Sequence, residues 1–298
     1  MPAFEQALGL IRFLEVGGEF TGSGVRVVFI DSGCGKDLPI KGCINLTDSS
    51  DVDTEGHGSA IHSILAAMLP DAEIYMVKVP DPLPDNVLIT ALNEAHKLMP
   101  HAVNLSITSE IPSDGSDPVS FYVNHVASRS AVVVAAGNGG PRMMSVGSPA
   151  VAAGALTVGA TDLRGRLWSR SSRGPTLDGR WKPNIVAPTG YRPPNSSKEL
   201  YGTSFSTPLA TAVAACLMKQ VNDPSTVVRI LELTATSINL AQPSTPLLTG
   251  LRKAELVKKL LTTWPRIFDP RNLAGMGLLN AAAAHRLTRQ MRKAFSTI

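Results

Sequence analysis

Short runs of β-branched and small apolar residues alternate with helix-length stretches along most of this chain, and that alternation restricts its fold more than any other feature. The runs are VRVVFID (25–31), AEIYMVKV (72–79), AVNLSIT (102–108), AVVVAAGN (131–138), ALTVGATD (155–162) and NIVAP (184–188). Each is too short for a helix, and the first is a β-branched run that ends in an acid, the mark of a buried strand of a parallel sheet stopping at a turn. Between them GHGSAIHSILAAML (56–69), NVLITALNEAHKLM (86–99) and VSFYVNHVASRS (119–130) have helical spacing, and SFSTPLATAVAACLMKQ (204–220) is a long buried helix. The order predicts an α/β fold, a mostly parallel central sheet with helices on both faces.

Composition agrees. With 298 residues, 44% hydrophobic and 17% charged, the chain is too apolar for disorder and long enough for one large core, so residues 1–298 are expected to form a single domain. The net charge of +4 is spread out, which excludes the concentrated basic groove of a nucleic-acid binder. Basic residues gather only in RKAELVKKLL and HRLTRQMRK, either a solvated helix face or a contact for an acidic partner. No run of about eighteen apolar residues could span a membrane. The N-terminus lacks a secretory pattern, and three cysteines, Cys34, Cys43 and Cys216, are a sparse, odd set suited to a reducing compartment. A cytoplasmic location is expected; Cys34 and Cys43 could pair under oxidising conditions. Nothing resembles a zinc site, and no metal or cofactor is expected.

In parallel sheets chemistry collects at the carboxyl ends of the strands. Asp31 ends the first strand and Asn138 the fourth; His57 begins the first crossover helix and Ser204 the long late one. The hydroxyls of YGTSFSTP (201–208) have two readings. A serine at a helix start can cap a free N–H, or it can be a nucleophile, held where orphan N–H groups act on developing negative charge. A serine nucleophile needs a base within hydrogen-bond reach, and the base needs an acid to fix its tautomer. Asp31, His57 and Ser204 supply those three types.

In that chain order the motifs resemble the subtilisin family of serine peptidases. VVFIDSG is similar to its strand-Asp signature, EGHGS to its histidine box, VVVAAGNGG to its Ala-Ala-Gly-Asn segment and YGTSFSTP to its nucleophile box, with weaker echoes in NLSI, KPNIVAP and GMGLLNAAAA. The resemblance runs from about residue 8 to about residue 288 and implies a subtilisin-like fold. It implies that Ser204 is the nucleophile, His57 the base and then the acid, Asp31 the orienting carboxylate, and Asn138 an oxyanion donor beside the Ser204 N–H. It further implies that an extended peptide or protein substrate lies along Leu105, Ser106 and Ile107, with a pocket for the residue before the cleaved bond walled by Ala136 and Gly137 and closed near Gly147. Ser206 and His62 are expected to be structural.

Departures from the family sharpen these expectations. Thr108 and Ser109 stand where the family usually has glycine, so a β-branched side chain should narrow the pocket mouth or tilt the strand, and the family's broad preference for large apolar residues there is not carried over. MLPD replaces the loop that holds calcium in secreted relatives, so that site is expected to be missing. Only about two dozen residues precede the first strand, as in relatives that fold without a propeptide, unless a leader was removed before residue 1. The segment 242–275 exceeds the family's usual connection and carries the helical run LRKAELVKKLLTTW, either a surface helix or a docking site for a substrate protein. The function implied is a serine endopeptidase working through an acyl-enzyme, possible selective processing included; a peptide ligase or macrocyclase using the same acyl-enzyme, and a catalytically silent peptide-binding regulator, are the alternatives.

Overall fold

The computed structural model describes residues 3–35, 37–109, 111–240 and 269–295. Seven strands, β1 (Arg26–Asp31), β2 (Gly42–Asn45), β3 (Glu73–Lys78), β4 (Ala102–Leu105), β5 (Ala131–Ala135), β6 (Leu156–Thr161) and β7 (Ile185–Pro188), form one parallel sheet in the order β2-β3-β1-β4-β5-β6-β7. From β1 the chain crosses to the edge at β2, comes back to place β3 between the two, and then adds β4 on the other side of β1. A crevice therefore opens at the carboxyl ends of β1 and β4, where such sheets place their ligands.

Alternation within each strand divides the core. Val27 and Phe29 of β1 face one layer, Val28 and Ile30 the other; Ala131 and Val133 of β5 are likewise separated from Val132 and Val134. The first layer is covered by α1 (Ala3–Leu10), α2 (His57–Met68), α5 (Thr203–Val221), α6 (Pro224–Thr234) and α8 (Ala281–Phe295), the second by α3 (Asp85–Lys97) and α4 (Pro118–Val126). A short turn of helix, α7 (Arg271–Ala274), leads into the closing segment. Both faces of strands β4, β5, β6 and β7 are covered, which is why those strands are buried along their whole length.

Helix α5 lies beneath the sheet, and its small residues Ala210, Ala212, Ala214 and Ala215 are fully buried, permitting close approach. Pro208 sits inside it. Proline has no N–H to donate to the carbonyl four residues earlier, so the Ser204 carbonyl is released from the helical ladder and accepts a hydrogen bond from Ser106 Oγ at 2.9 Å instead.

One sequence expectation is corrected. The strand foreseen over 102–108 ends at Leu105, because Ser106 is taken up by α5 and the Ser109 N–H by the Ser148 carbonyl at 2.8 Å. The half-buried edge strand β2 was not foreseen. Of the charge runs, RKAELVKKLL and most of the 242–275 segment, including its possible docking role, lie outside the described residues. HRLTRQMRK falls on α8, with Arg286 and Arg289 exposed and His285 and Thr288 buried, the pattern of a solvated face.

Candidate active site

Asp31, 2% exposed at the carboxyl end of β1, accepts the Ser32 N–H at 2.8 Å through Oδ1. The same oxygen lies 2.8 Å from Nδ1 of His57, the first residue of α2. A proton on Nδ1, held by the carboxylate, leaves Nε2 as the basic nitrogen. The approach of α2 to the β1 turn depends on Gly58: a Cβ there would meet the Gly33 carbonyl at 2.1 Å, so no larger residue lets His57 come this close.

A second carboxylate stands behind the first. Asp53 Oδ1 accepts from Ser32 Oγ at 3.0 Å and from the N–H groups of Glu55 and Gly56 at 3.0 and 2.9 Å, while Oδ2 accepts the Ser59 N–H at 2.7 Å. Ser32 Oγ also lies 3.3 Å from Asp31 Oδ1 and accepts the Gly58 N–H at 3.1 Å. Burial raises the Asp53 pKa, but the N–H donors outweigh it and hold the carboxyl below its ordinary value. For His57, burial is the largest influence and lowers the pKa; the charge and hydrogen bond of Asp31, with Asp53 and Glu55 behind them, overcome it, so the net direction is up.

Ser204 is the second residue of α5. The next side chain, Phe205, has its ring centroid 5.5 Å from that of His57, which sets the imidazole against the Ser204 turn. The Ser204 hydroxyl is donated to the Ser106 carbonyl at 3.1 Å, so it neither caps the helix nor bonds to His57 in this arrangement. Hydroxyls at such sites commonly align only with substrate bound. The loop carrying Ser106 is clamped: Asn104 Nδ2 donates to Ser106 Oγ at 3.0 Å, and Thr211 Oγ1 donates to Asn104 Oδ1 at 2.8 Å.

Asn138 follows β5. Its Oδ1 accepts the Thr203 N–H at 3.0 Å and lies 3.3 Å from Thr203 Oγ1, which itself accepts the Gly137 N–H at 3.1 Å. With the oxygen occupied, the Nδ2 donors are left over, next to the first turn of a helix whose leading N–H groups have no intrahelical partner. A carbonyl oxygen gaining charge above Ser204 would find both kinds of donor.

The structure thus brings Asp31 and His57 into contact and gathers Ser204, Asn138, Ser106 and Gly137 around one helix start. Ala136 is buried and bonded to the Val158 carbonyl at 2.9 Å. Leu105 is buried, its main chain in register with Ile30 on one side and Val134 on the other, so the accessible part of that segment starts at Ser106. Gly147 abuts the chain after β4: a Cβ on it would lie 2.2 Å from the Ser109 carbonyl oxygen. Ser206 donates to the Ala187 and Pro188 carbonyls, and His62 is fully buried, stacked on Phe29 with Nε2 3.1 Å from the Pro39 carbonyl; both are structural.

Sequence reasoning missed Asp53, Thr203 and the Asn104–Thr211 clamp. An acid just ahead of a helix that opens with Gly-His was the available signal for Asp53; the others had none. A cavity of about 530 Å³ lined by Glu19, Lys219, His285 and Arg289 is at the far end of α5, roughly 22 Å along the helix from Ser204 at 1.5 Å per residue. Among the described residues no cluster of three or more His, Cys, Asp or Glu could hold a metal ion, and no helix is long and apolar enough to cross a membrane.

The chain is similar to known proteins in sequence and in fold. Subtilisin Savinase of Lederbergia lenta is 36% identical over 242 residues, 73% of this chain and 86% of that protein. An alkaline protease of Alkalihalobacillus alcalophilus is 36% identical over 242 residues, again 73% of this chain but only 60% of its own length, so this chain spans less than two thirds of that relative. Among solved structures the fold is shared with the prenylagaramide maturation protease PagA, at TM-score 0.69 and 21% identity over 93% of this chain and 98% of that one. It is shared too with a mutant of the protease domain of PatA, at TM-score 0.66 and 22% identity, covering 92% and 98%. The family model described as Subtilase family, Peptidase_S8, matches residues 22–259. The chain belongs to the subtilase family of serine peptidases.

Proposed function

We propose that this protein is a serine endopeptidase that hydrolyses peptide bonds through an acyl-enzyme, with Ser204 as nucleophile, His57 as base and then acid, and Asp31 as the carboxylate that orients His57. The observation that carries this reading is the 2.8 Å contact between Asp31 and His57, set against the helix start that bears Ser204. In the first step Ser204 Oγ bonds to the carbonyl carbon as its proton passes to His57 Nε2, and Asp31 stabilises the resulting imidazolium. Asn138 Nδ2 and the Ser204 N–H take the charge on the carbonyl oxygen. His57 then gives its proton to the departing amine as the C–N bond breaks. Water repeats the sequence on the ester, releasing the acid and restoring the serine. An incoming substrate strand would meet the Ser106 carbonyl and compete with the Ser204 hydroxyl for it, turning that hydroxyl toward His57. The sparse cysteines keep a cytoplasmic location within the same reading.

The test is labelling by a fluorophosphonate. Wild type should be labelled stoichiometrically and Ser204→Ala not at all; an unlabelled wild type that still binds peptides would mean a silent regulator instead. Product masses distinguish the outcome of the acyl-enzyme: hydrolysis adds one water, whereas interception by an amine gives a ligated or cyclic product without it.

A further inference from the structure

Strands β4 and β5 run in register as far as Leu105 and Val134. Past that point no strand pairing joins the segments Ser106–Ser109 and Ala136–Asn138, and on the peptidase reading the interval between them, beside Ser204, is the gap a substrate side chain meets. On the peptidase reading, the attacked carbonyl has its carbon over Ser204 Oγ and its oxygen on the Ser204 N–H and Asn138 Nδ2. The side chain of the residue that owns this carbonyl starts one bond away and must enter that gap.

Thr108 already reaches into it. Its Oγ1 lies 3.3 Å from the Ser148 carbonyl oxygen and 3.4 Å from that of Gly147. Its Cγ2 lies 3.2 Å from the point where a side chain on Gly137 would begin. One branched side chain therefore touches the opposite wall with its methyl and the rear of the gap with its hydroxyl. The surroundings are closed as well. Gly137, at φ +102°, has Ser172 Oγ 2.8 Å from that same point, and a Cβ on Gly147 would strike the carbonyl oxygens of Ser109 and Ile111 at 2.2 and 2.6 Å. The Ser109 N–H is tied to the Ser148 carbonyl at 2.8 Å, so the wall carrying Thr108 cannot swing outward without breaking that bond.

We infer that Thr108 is a specificity-determining residue, and that it restricts the acyl residue accepted at Ser204 to small side chains, Gly, Ala or Ser, and turns away Leu, Phe and larger ones. The inference rests on the peptidase reading and adds the class of peptide it takes. A β-branched side chain is stiff about its first torsion, and the hydroxyl's contacts with main-chain carbonyls add to that hold, so the obstruction stays in place.

The experiment separates the two layers. Enzyme is first titrated with a fluorophosphonate, which counts competent Ser204 regardless of side-chain preference. A peptide series varying only the residue before the cleaved bond (Gly, Ala, Leu, Phe) is then assayed per titrated site. Wild type should favour Ala over Phe in kcat/KM by about 10- to 100-fold, the range a few methylenes command in a fitted pocket. Thr108→Gly should abolish that preference, while Thr108→Val, which keeps the volume and loses the hydroxyl, should retain most of it. A titrated wild type that cleaves after Phe as fast as after Ala overturns this inference and leaves the peptidase reading intact. A protein that does not titrate overturns both. Should Thr108→Gly fail to fold, the wild-type profile and Thr108→Val still decide.

Discussion

Helices α4 and α6 start in one way, α2 and α5 in another. Asp117 and Asp223 precede α4 and α6, each followed by proline, and their carboxylates accept N–H groups three residues on, from Ser120 at 2.8 Å and Thr226 at 2.7 Å. Helices α2 and α5 start instead from Gly56 and Gly202, at φ 86° and 142°, with no side-chain cap from that position. The first pair meets the demand of its orphan donors locally, as a surface helix should. The second pair carries His57 and Ser204. At α2 Ser32 Oγ takes the Gly58 N–H and Asp53 the Ser59 N–H, the charge of Asp53 also acting on His57; at α5 Asn138 takes only the Thr203 N–H and leaves the next one over. Capping uses up N–H groups that could otherwise meet a ligand, and this chain divides local capping and open donors between different helices.

Asn138→Leu tests the division where the effect is largest. Removing the side-chain donor should lower kcat by about 10²- to 10³-fold, a scale that comes from a subtilisin's own oxyanion asparagine, with little change in KM; an unchanged kcat would mean that the α5 start is not where charge develops. Asp223→Ala should behave oppositely, lowering unfolding stability by about 1 kcal/mol while leaving kcat/KM alone. Loss of activity in that variant at constant fold would blur the two classes of helix start.

The smallest effect expected is on pH dependence. On the proposed mechanism only neutral His57 acts as base, so activity should rise with pH through a pKa above the ordinary histidine value of about 6.5. Asp53→Asn removes one of the charges that raise it, and the acid limb of the kcat/KM profile should move to lower pH. A limb that moves up or stays put would assign Asp53 to the α2 start alone. The sign for stability is the reverse. Because the folded pKa is raised, the His57–Asp31 pair stabilises fully below the unfolded value, and that contribution is lost as pH rises through the folded one. Activity is gained over the same interval.

Asp31, His57, Ser204 and Asn138 could be picked out beforehand because each stands at a boundary between an apolar run and a turn, and a parallel sheet collects such boundaries on one side. Asp53 could not be read with the same ease, since an acid four residues before a histidine has many uses; only the fold of the 51–57 loop turns it toward Ser32 and Ser59. The edge strand β2 escaped because it is short and half-buried, with little hydrophobic pattern to betray it. Strand β4 was read too long for a tertiary reason: the residues after Leu105 favour extension, but α5 and the 147–148 segment claim their hydrogen bonds first.

The sequence by itself determined the layered α/β architecture and the residue types at its strand ends, because periodicity and burial are properties of neighbouring residues along one chain. Tertiary structure alone decided which way the Ser204 hydroxyl turns, what holds Asn138, and how far Thr108 intrudes beside them. Those depend on contacts such as Ser106 with Ser204 and Thr108 with Gly147, between residues that only folding makes neighbours.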